Sequence, residues 1–407
     1  MHEDVKNAFI WTFGKLNLQS KRELLMAPNP HVMDLKDSFR VSKRVCMEIE
    51  AGAKIIFGPS STTSSSQVQA ITNVLGIPHI QFHQDADDVT ASISGPTLLP
   101  GKHHMTLNLF PSNRKMNQAH RDLVEILEWT SYTVIYDSFD GLIRLQDVLL
   151  STVREDVEVI IRELDKDPKQ YGKMFKAMKD SAEYKLIIDC DVSKIETFLS
   201  KDLSLVNLDT FRATGANITA FSIVSKDNPL VMRLLGEWKY ELFKTESNLS
   251  PLSKNKNFVS TEVALMYDAV QVFDRALGNL RKAINVDFDR KLHCNRTDTT
   301  WDDGTSLLNY MKTIEFPGMT GKVHFGDFGL RDHFDLDILK LGQEGLEKIG
   351  VWTSIGLSAK QRINITKTHV EPVILLANRR LRVVTKTVWR PSSLFACKTQ
   401  HTFYKVK

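Results

Sequence analysis

The feature that most narrows what this chain can fold into is an alternation of short, nearly continuous apolar runs with helical patterns. Residues 53–57 (Ala-Lys-Ile-Ile-Phe) read as a strand ended by Gly58-Pro59. A Ser/Thr cluster at 60–66 follows, after which Val68, Ile71 and Leu75 recur at helical spacing. Gly76 is placed to stop that helix, and residues 78–82 begin another strand. The same beat returns at 132–136, followed by Leu142, Leu145 and Leu149 on one helical face, and again at 157–164 and 185–189. Strands apolar on both faces must be covered on both faces, so the pattern predicts an α/β fold with doubly wound, mainly parallel sheets. At 407 residues, with 42% hydrophobic and 25% charged side chains, the chain has room for two such lobes.

A helix predicted from near Ser260 carries Val263, Met266, Tyr267, Val270, Phe273, Leu277 and Leu280 at spacings of three and four. Beyond it, residues 322–325, 334–341 and 347–352 alternate at period two and predict a β-meander. The tail from about Arg379 is basic and has no clear period.

Several function classes are excluded. No window approaches 18 consecutive apolar residues, so no membrane contact by this chain itself is expected, and the first residues lack the basic and apolar regions of a secretory signal. A net charge of +4 is too small to argue for nucleic acid. HExxH, GxSxG, GxGxxG and the P-loop are all missing, so no catalytic residue, metal or cofactor is expected. Asp335 and Asp337 share one face of a strand whose other face is Phe334, Leu336 and Ile338, the pattern of a half-exposed strand rather than an acid/base pair. Adjacent His103 and His104 point apart in an extended segment and cannot share an ion, and Arg379, Arg380 and Arg382 read as a solvated basic segment. The loop at 58–66 has two readings. Its helix start can receive a carboxylate through free N–H groups and hydroxyls, or its Ser and Thr residues can simply cap the helix.

Specific strings then point to a family. They are Asp37-Ser38-Phe39 followed by Cys46, Phe57-Gly58-Pro59-Ser60, and Leu75-Gly76-Ile77-Pro78-His79-Ile80-Gln81. Tyr136-Asp137, Gly141-Leu142-Ile143-Arg144-Leu145-Gln146 and Ala264-Leu265-Met266-Tyr267-Asp268-Ala269-Val270 continue the series. Cys294-Asn295-Arg296, Thr320-Gly321, Phe334-Asp335-Leu336-Asp337 and Glu344-Gly345-Leu346-Glu347-Lys348-Ile349-Gly350 complete it. In this order they resemble the amino-terminal domain of kainate-type ionotropic glutamate receptors, across roughly residues 30–355.

The resemblance implies a two-lobed, type I periplasmic-binding-protein-like clamshell, similar to leucine-binding proteins. It is extracellular, non-enzymatic and devoted to homo- or hetero-dimerisation with other glutamate receptor subunits. The parent protein would act in excitatory signalling at the postsynaptic plasma membrane. Residues 1–110 would open lobe 1 and 111–245 form mainly lobe 2. Residues 246–355 would recross between lobes, 356–380 form a linker, and 381–407 an unmatched tail that starts a lost ligand-binding domain. Cys46 and Cys294 match the family's disulfide pair, against the alternative of two separate buried thiols, while Cys190 reads as a core residue and Cys397 has no assigned place. Phe39 matches an aromatic anchor of the lobe 1 dimer contact, which the helix bearing Ser64, Val68, Ile71 and Leu75 also lines. The alternative makes Phe39 an intralobe staple sharing a stripe with Val45 and Ile49. The helices at 141–150 and after Asn228 would bear on second-lobe contacts. A second functional reading is a sensor for a small amino acid, with Ser60, Ser64, Ser65, Tyr136 and Asp137 in the cleft, although the family module is not known to capture glutamate. Asn217, Asn248, Asn295 and Asn364 open glycosylation sequons, that of Asn248 weakened by Pro251.

Three departures from the family carry expectations of their own. The chain opens almost directly on a helix at 5–16, as though a first, central strand were lost, and residues 192–211 are shorter than the family's segment. After Asn378 the sequence starts like a further domain and then diverges. A lost central strand would expose the edges of two neighbours and lower stability. A gene-model fragment and a truncated transcript both account for such a chain.

Overall fold

The fold is described from a computed structural model. It covers residues 2–19, 24–33, 37–59, 61–83, 105–138, 141–142, 145–150, 157–181, 183, 185–190, 217–244, 259–295, 299–326, 329–342, 345–365, 382–385 and 393–401.

The chain begins with α1 (His2–Gln19), β1 (Leu24–Val32), α2 (Ser38–Glu50), β2 (Ala53–Phe57), α3 (Thr62–Leu75), β3 (His79–Gln81) and β4 (Thr106–Pro111). Next come α4 (Asn113–Ile126), β5 (Ser131–Tyr136), α5 (Gln146–Leu150), β6 (Glu158–Glu163), α6 (Tyr171–Asp180), β7 (Lys185–Asp189) and β8 (Asn217–Ser222). They are followed by α7 (Pro229–Lys244), α8 (Thr261–Ala283), α9 (Asp302–Lys312), β9 (Phe316–Gly318), β10 (Gly321–Val323) and β11 (Leu330–Arg331). The last elements are β12 (Asp335–Gly342), β13 (Gly345–Thr353), α10 (Ala359–Arg362), β14 (Ile363–Ile365), β15 (Arg382–Thr385) and β16 (Ser393–His401).

Two sheets, each with its own apolar core, make two lobes. The first-lobe sheet runs β1-β16-β2-β3-β4-β11, and its β2/β3, β3/β4 and β4/β11 pairs are parallel. The second runs β14-β13-β12-β8-β15-β7-β5-β6, parallel from β8 through β6 and antiparallel from β8 to β14. This is the α/β architecture the alternation predicts. All five residues of β2 are buried, which is why the run at 53–57 is apolar except for Lys54, whose ammonium donates to the Arg290 carbonyl oxygen. Where α3 ends, Gly76 adopts φ +67°, and a Cβ there would sit 2.8 Å from the Trp301 carbonyl oxygen. Only glycine fits both the left-handed cap and that close approach. α8 is buried on most of its circumference at the centre of the first lobe. The Ser260 hydroxyl accepts from Val263 N–H at its start, and Arg281 and Lys282 sit against its C-terminal dipole.

The chain passes between lobes after β4, after β8, between β11 and β12 and between β15 and β16. The second passage corrects one expectation: Val231, Leu234 and Trp238 pack α7 into the first-lobe core, so this helix does not build the second lobe. The meander is corrected as well. β12 and β13 pair as expected, but β10 pairs with β9 in a separate two-stranded sheet, because β11 returns to the first lobe before β12 begins.

The tail departs furthest from expectation. β15 inserts between β7 and β8, parallel to both, and β16 inserts antiparallel between β1 and β2. Residues 382–385 and 393–401 are therefore parts of the two sheets, and the facing edges of β1 and β2 are paired, not bare. The physical reason is that open interior edges carry rows of N–H and C=O groups that an extended segment can satisfy.

Two buried charged networks tie the lobes internally. In the second lobe the Asp122 carboxylate accepts from Arg362 Nε and Nη2, each at 2.6 Å, and from Trp352 Nε1 at 2.8 Å. That carboxylate holds the Arg362 guanidinium above its ordinary value. In the first lobe Asp268 accepts from the Met319 and Thr320 backbone N–H groups at 2.8 and 2.9 Å. The Thr320 hydroxyl donates to it at 2.5 Å, and Arg331 Nη1 donates to that hydroxyl at 2.6 Å. Burial pushes the Asp268 carboxyl up, opposed by the Thr320 hydrogen bonds, and pushes the Arg331 guanidinium down to about 10.

Buried histidines beside the Gly58-Pro59 turn make stability depend on pH. A ring nitrogen of His79 lies 2.8 Å from the Gly58 carbonyl oxygen. Burial lowers His79 from 6.5 to about 3 and His83 from 6.5 to about 4. Both stay neutral in the fold while the unfolded chain takes up protons, so their contribution is complete above pH 6.5 and is lost as pH falls towards 4 and then 3. Each histidine should remove roughly 1 kcal/mol per pH unit below that point. Urea unfolding followed between pH 7.5 and 5 should show the loss, and His83→Gln should reduce its slope. An unchanged slope in the variant would remove His83 from the account.

Candidate functional site

The outer face of α2 and α3 on the first lobe gathers the residues with the clearest potential role. α2 begins where the Asp37 carboxylate accepts from Arg40 N–H at 2.9 Å. Its inward stripe is Val41, Val45, Glu48 and Ile49. Buried Glu48 is satisfied by Asn29 Nδ2 at 2.7 Å and by the Arg44 guanidinium at 3.0 Å. Phe39 lies two residues before Val41, hence on the opposite side of the helix, and is 77% exposed. It does not share the stripe of Val45 and Ile49, which removes the intralobe-staple reading.

α3 corrects the interface list. Ser64 and Val68 are 0% and Leu75 2% exposed, and Ile71 is partly buried against the same core. Ser64, Val68 and Leu75 thus belong to the lobe's own interior, where no partner can reach them, and of this set only Ile71 stays partly accessible. What α3 turns outward is Ser66, Gln67, Ala70 and Val74, at the three- and four-residue spacing of one helical face. The two helices join on the outside through the Ser42 hydroxyl, which donates to Gln67 Oε1 at 2.9 Å. Phe39, Met47 and Val74 are the large apolar side chains that these helices leave exposed. Sequence reasoning missed Gln67, Ala70 and Val74, although the polar side of the helical period was the signal for them.

The cleft set is not assembled as expected. Ser60 lies outside the described residues. Ser64 and Ser65 are buried, and the Ser65 hydroxyl accepts from Gln81 Nε2 at 2.8 Å. Both hydroxyls face the lobe interior because α3 packs that side on β3. Ser61, the N-cap residue, makes no side-chain cap bond. Tyr136 and Asp137 sit partly buried at the carboxyl end of β5. Cavities of about 630 and 620 Å³ open beside α8, and neither is lined by any of these residues.

Cys46 and Cys294 are bonded, with Cα atoms 5.7 Å apart, joining α2 to the segment after α8. Cys190 is buried and lies outside the disulfide. Asn295 and Asn364 are exposed, whereas Asn248 and the Asn217 side chain lie outside the described residues. So do His103, His104, Arg379 and Arg380. Asp335 is exposed as expected, but Asp337 is buried and ion-paired with Lys348 at 2.8 Å, which corrects the half-exposed reading for that residue. Among the described residues no group of three or more His, Cys, Asp or Glu is arranged to hold a metal, and no helix is long and apolar enough to cross a membrane.

A family model described as the receptor family ligand binding region matches residues 18–344. The chain is 31% identical over 377 residues to "Glutamate receptor ionotropic, kainate 1" of Mus musculus, covering 87% of this chain and 42% of that protein. It is 30% identical over 390 residues to the Homo sapiens protein of the same name, covering 87% of this chain and 40% of that one. It thus spans less than half the length of the curated relatives it matches. Both relatives are named as receptors, in keeping with the expectation that this chain is not an enzyme.

Proposed function

The chain belongs to the receptor family ligand binding region, with the two-lobed type I clamshell of that family, and from this premise we propose that it is the extracellular amino-terminal module of a kainate-type glutamate receptor subunit, acting in dimerisation and assembly. The observation that carries the reading is the exposed Phe39 beside the outward face of α3. A large aromatic side chain held out by a capped, disulfide-anchored helix is the kind of rigid anchor that dominates protein interfaces. The partner is a second copy or another glutamate receptor subunit. The Cys46–Cys294 bond supports an extracellular setting, since such a bond persists in an oxidising compartment. Exposed Asn295 and Asn364 supply acceptor positions for glycans in the same setting. Channel opening, and residence in a postsynaptic membrane, belong to the parent subunit.

Sedimentation equilibrium tests the proposal. Phe39→Ala should weaken the dimer by about 2 kcal/mol or more, roughly thirtyfold in Kd, with the circular dichroism of the lobes unchanged. An unaltered Kd would take Phe39 out of the interface. The amino-acid sensor is the weaker reading because the Ser64 and Ser65 hydroxyls are directed into the lobe. Heat on calorimetric titration with glutamate or glycine would revive it.

A further inference from the structure

We propose that β15 and β16, which follow one another in the chain, are a two-strand clasp on which each lobe's sheet depends for its closure. This inference is independent of the dimerisation reading.

β16 pairs with β1 along nine consecutive positions, from Leu24↔His401 to Val32↔Ser393. On its other side it pairs with β2, from Phe395↔Phe57 to Lys398↔Ala53. β1 and β2 do not pair with each other, so β16 alone joins β1 to the remainder of its sheet. β15 stands in the same relation to the second lobe, in register with Lys185–Ile188 of β7 on one side and Asn217–Ala220 of β8 on the other. Without it that sheet falls into β7-β5-β6 and β8-β12-β13-β14. Both strands are interior, where loss exposes two rows of backbone donors and acceptors rather than one.

The sequence fits the placement. Arg382-Val383-Val384-Thr385 is β-branched at its last three positions, as suits a parallel strand paired on both sides. Residues 393–401 contain neither proline nor glycine, as an interior strand requires.

The register supplies the test. Cys397 stands opposite Pro28 on β1. In the full-length protein, Pro28→Cys should form a disulfide with Cys397 on mild oxidation, identified by peptide mass in the monomeric chain. Ala27→Cys, one position along and so on the other face of the sheet, should not. Absence of the 28–397 bond, or its formation only between two chains, would overturn the clasp. Hydrogen exchange gives a second measurement that reads each lobe separately. Val383→Pro should release amides of β7 and β8, and Ala396→Pro those of β1 and β2. Exchange in those strands at the unsubstituted rate would overturn the corresponding half of the proposal.

Discussion

Replacing both Cys46 and Cys294 by serine should lower the free energy of unfolding by about 4–5 kcal/mol. The bond closes a loop of 248 positions, and a cross-link over that span removes much of the freedom of the unfolded chain. It also fixes α2, the helix that holds Phe39 outward, to the segment beyond α8. The loss should therefore have two parts. Guanidinium unfolding of the double variant should shift to a lower midpoint, and exchange of the α2 amides should rise more than that of the second-lobe sheet. Equal midpoints for the oxidised protein and the variant would show that the bond does no more than decorate a fold already made.

A comparable loss, about 3–5 kcal/mol, is expected from Asp122→Ala. Asp122 is 0% and Arg362 4% exposed, and removing the carboxylate leaves a buried guanidinium and the Trp352 N–H without their acceptor. The attraction lost is the smaller part. The larger part is a charge that water cannot reach. The double variant Asp122→Leu/Arg362→Met replaces both partners by apolar groups and should recover most of the loss. If it is as unstable as Asp122→Ala, the cost lies in packing and not in the orphaned charge. Because these residues sit on α4, β13 and α10, the network clamps the end of the second-lobe sheet to the helix beneath it.

How much of this was legible in the sequence follows from which interactions are local. The strands at 53–57 and 185–189 were readable because burial on both faces writes itself into consecutive residues. The bridge between Cys46 and Cys294 was readable only through resemblance, since nothing in two distant cysteines names their partner. The apolar stripe of α3 was found, but its direction was not. Val68 and Leu75 look the same whether they face their own sheet or another subunit, and only the fold decides. Asp122 and Asp268 were invisible for a related reason. Their partners lie far along the chain, and an acidic residue in a helix ordinarily reads as solvated. The tail was hardest, because β15 and β16 owe their existence to edges formed by strands far earlier in the chain.

That last placement has a consequence for how the protein is made. Synthesis proceeds at about 5–20 residues per second, so β1 and β2 emerge on the order of tens of seconds before β16 does. Through that interval the first lobe holds two unmatched strand edges, and the nascent chain is open to wrong pairing or to capture by a chaperone. Closing so distant a contact is slow, since most of the chain must be ordered before the ladder rewards it. The first lobe, begun earliest on the ribosome, is therefore finished last.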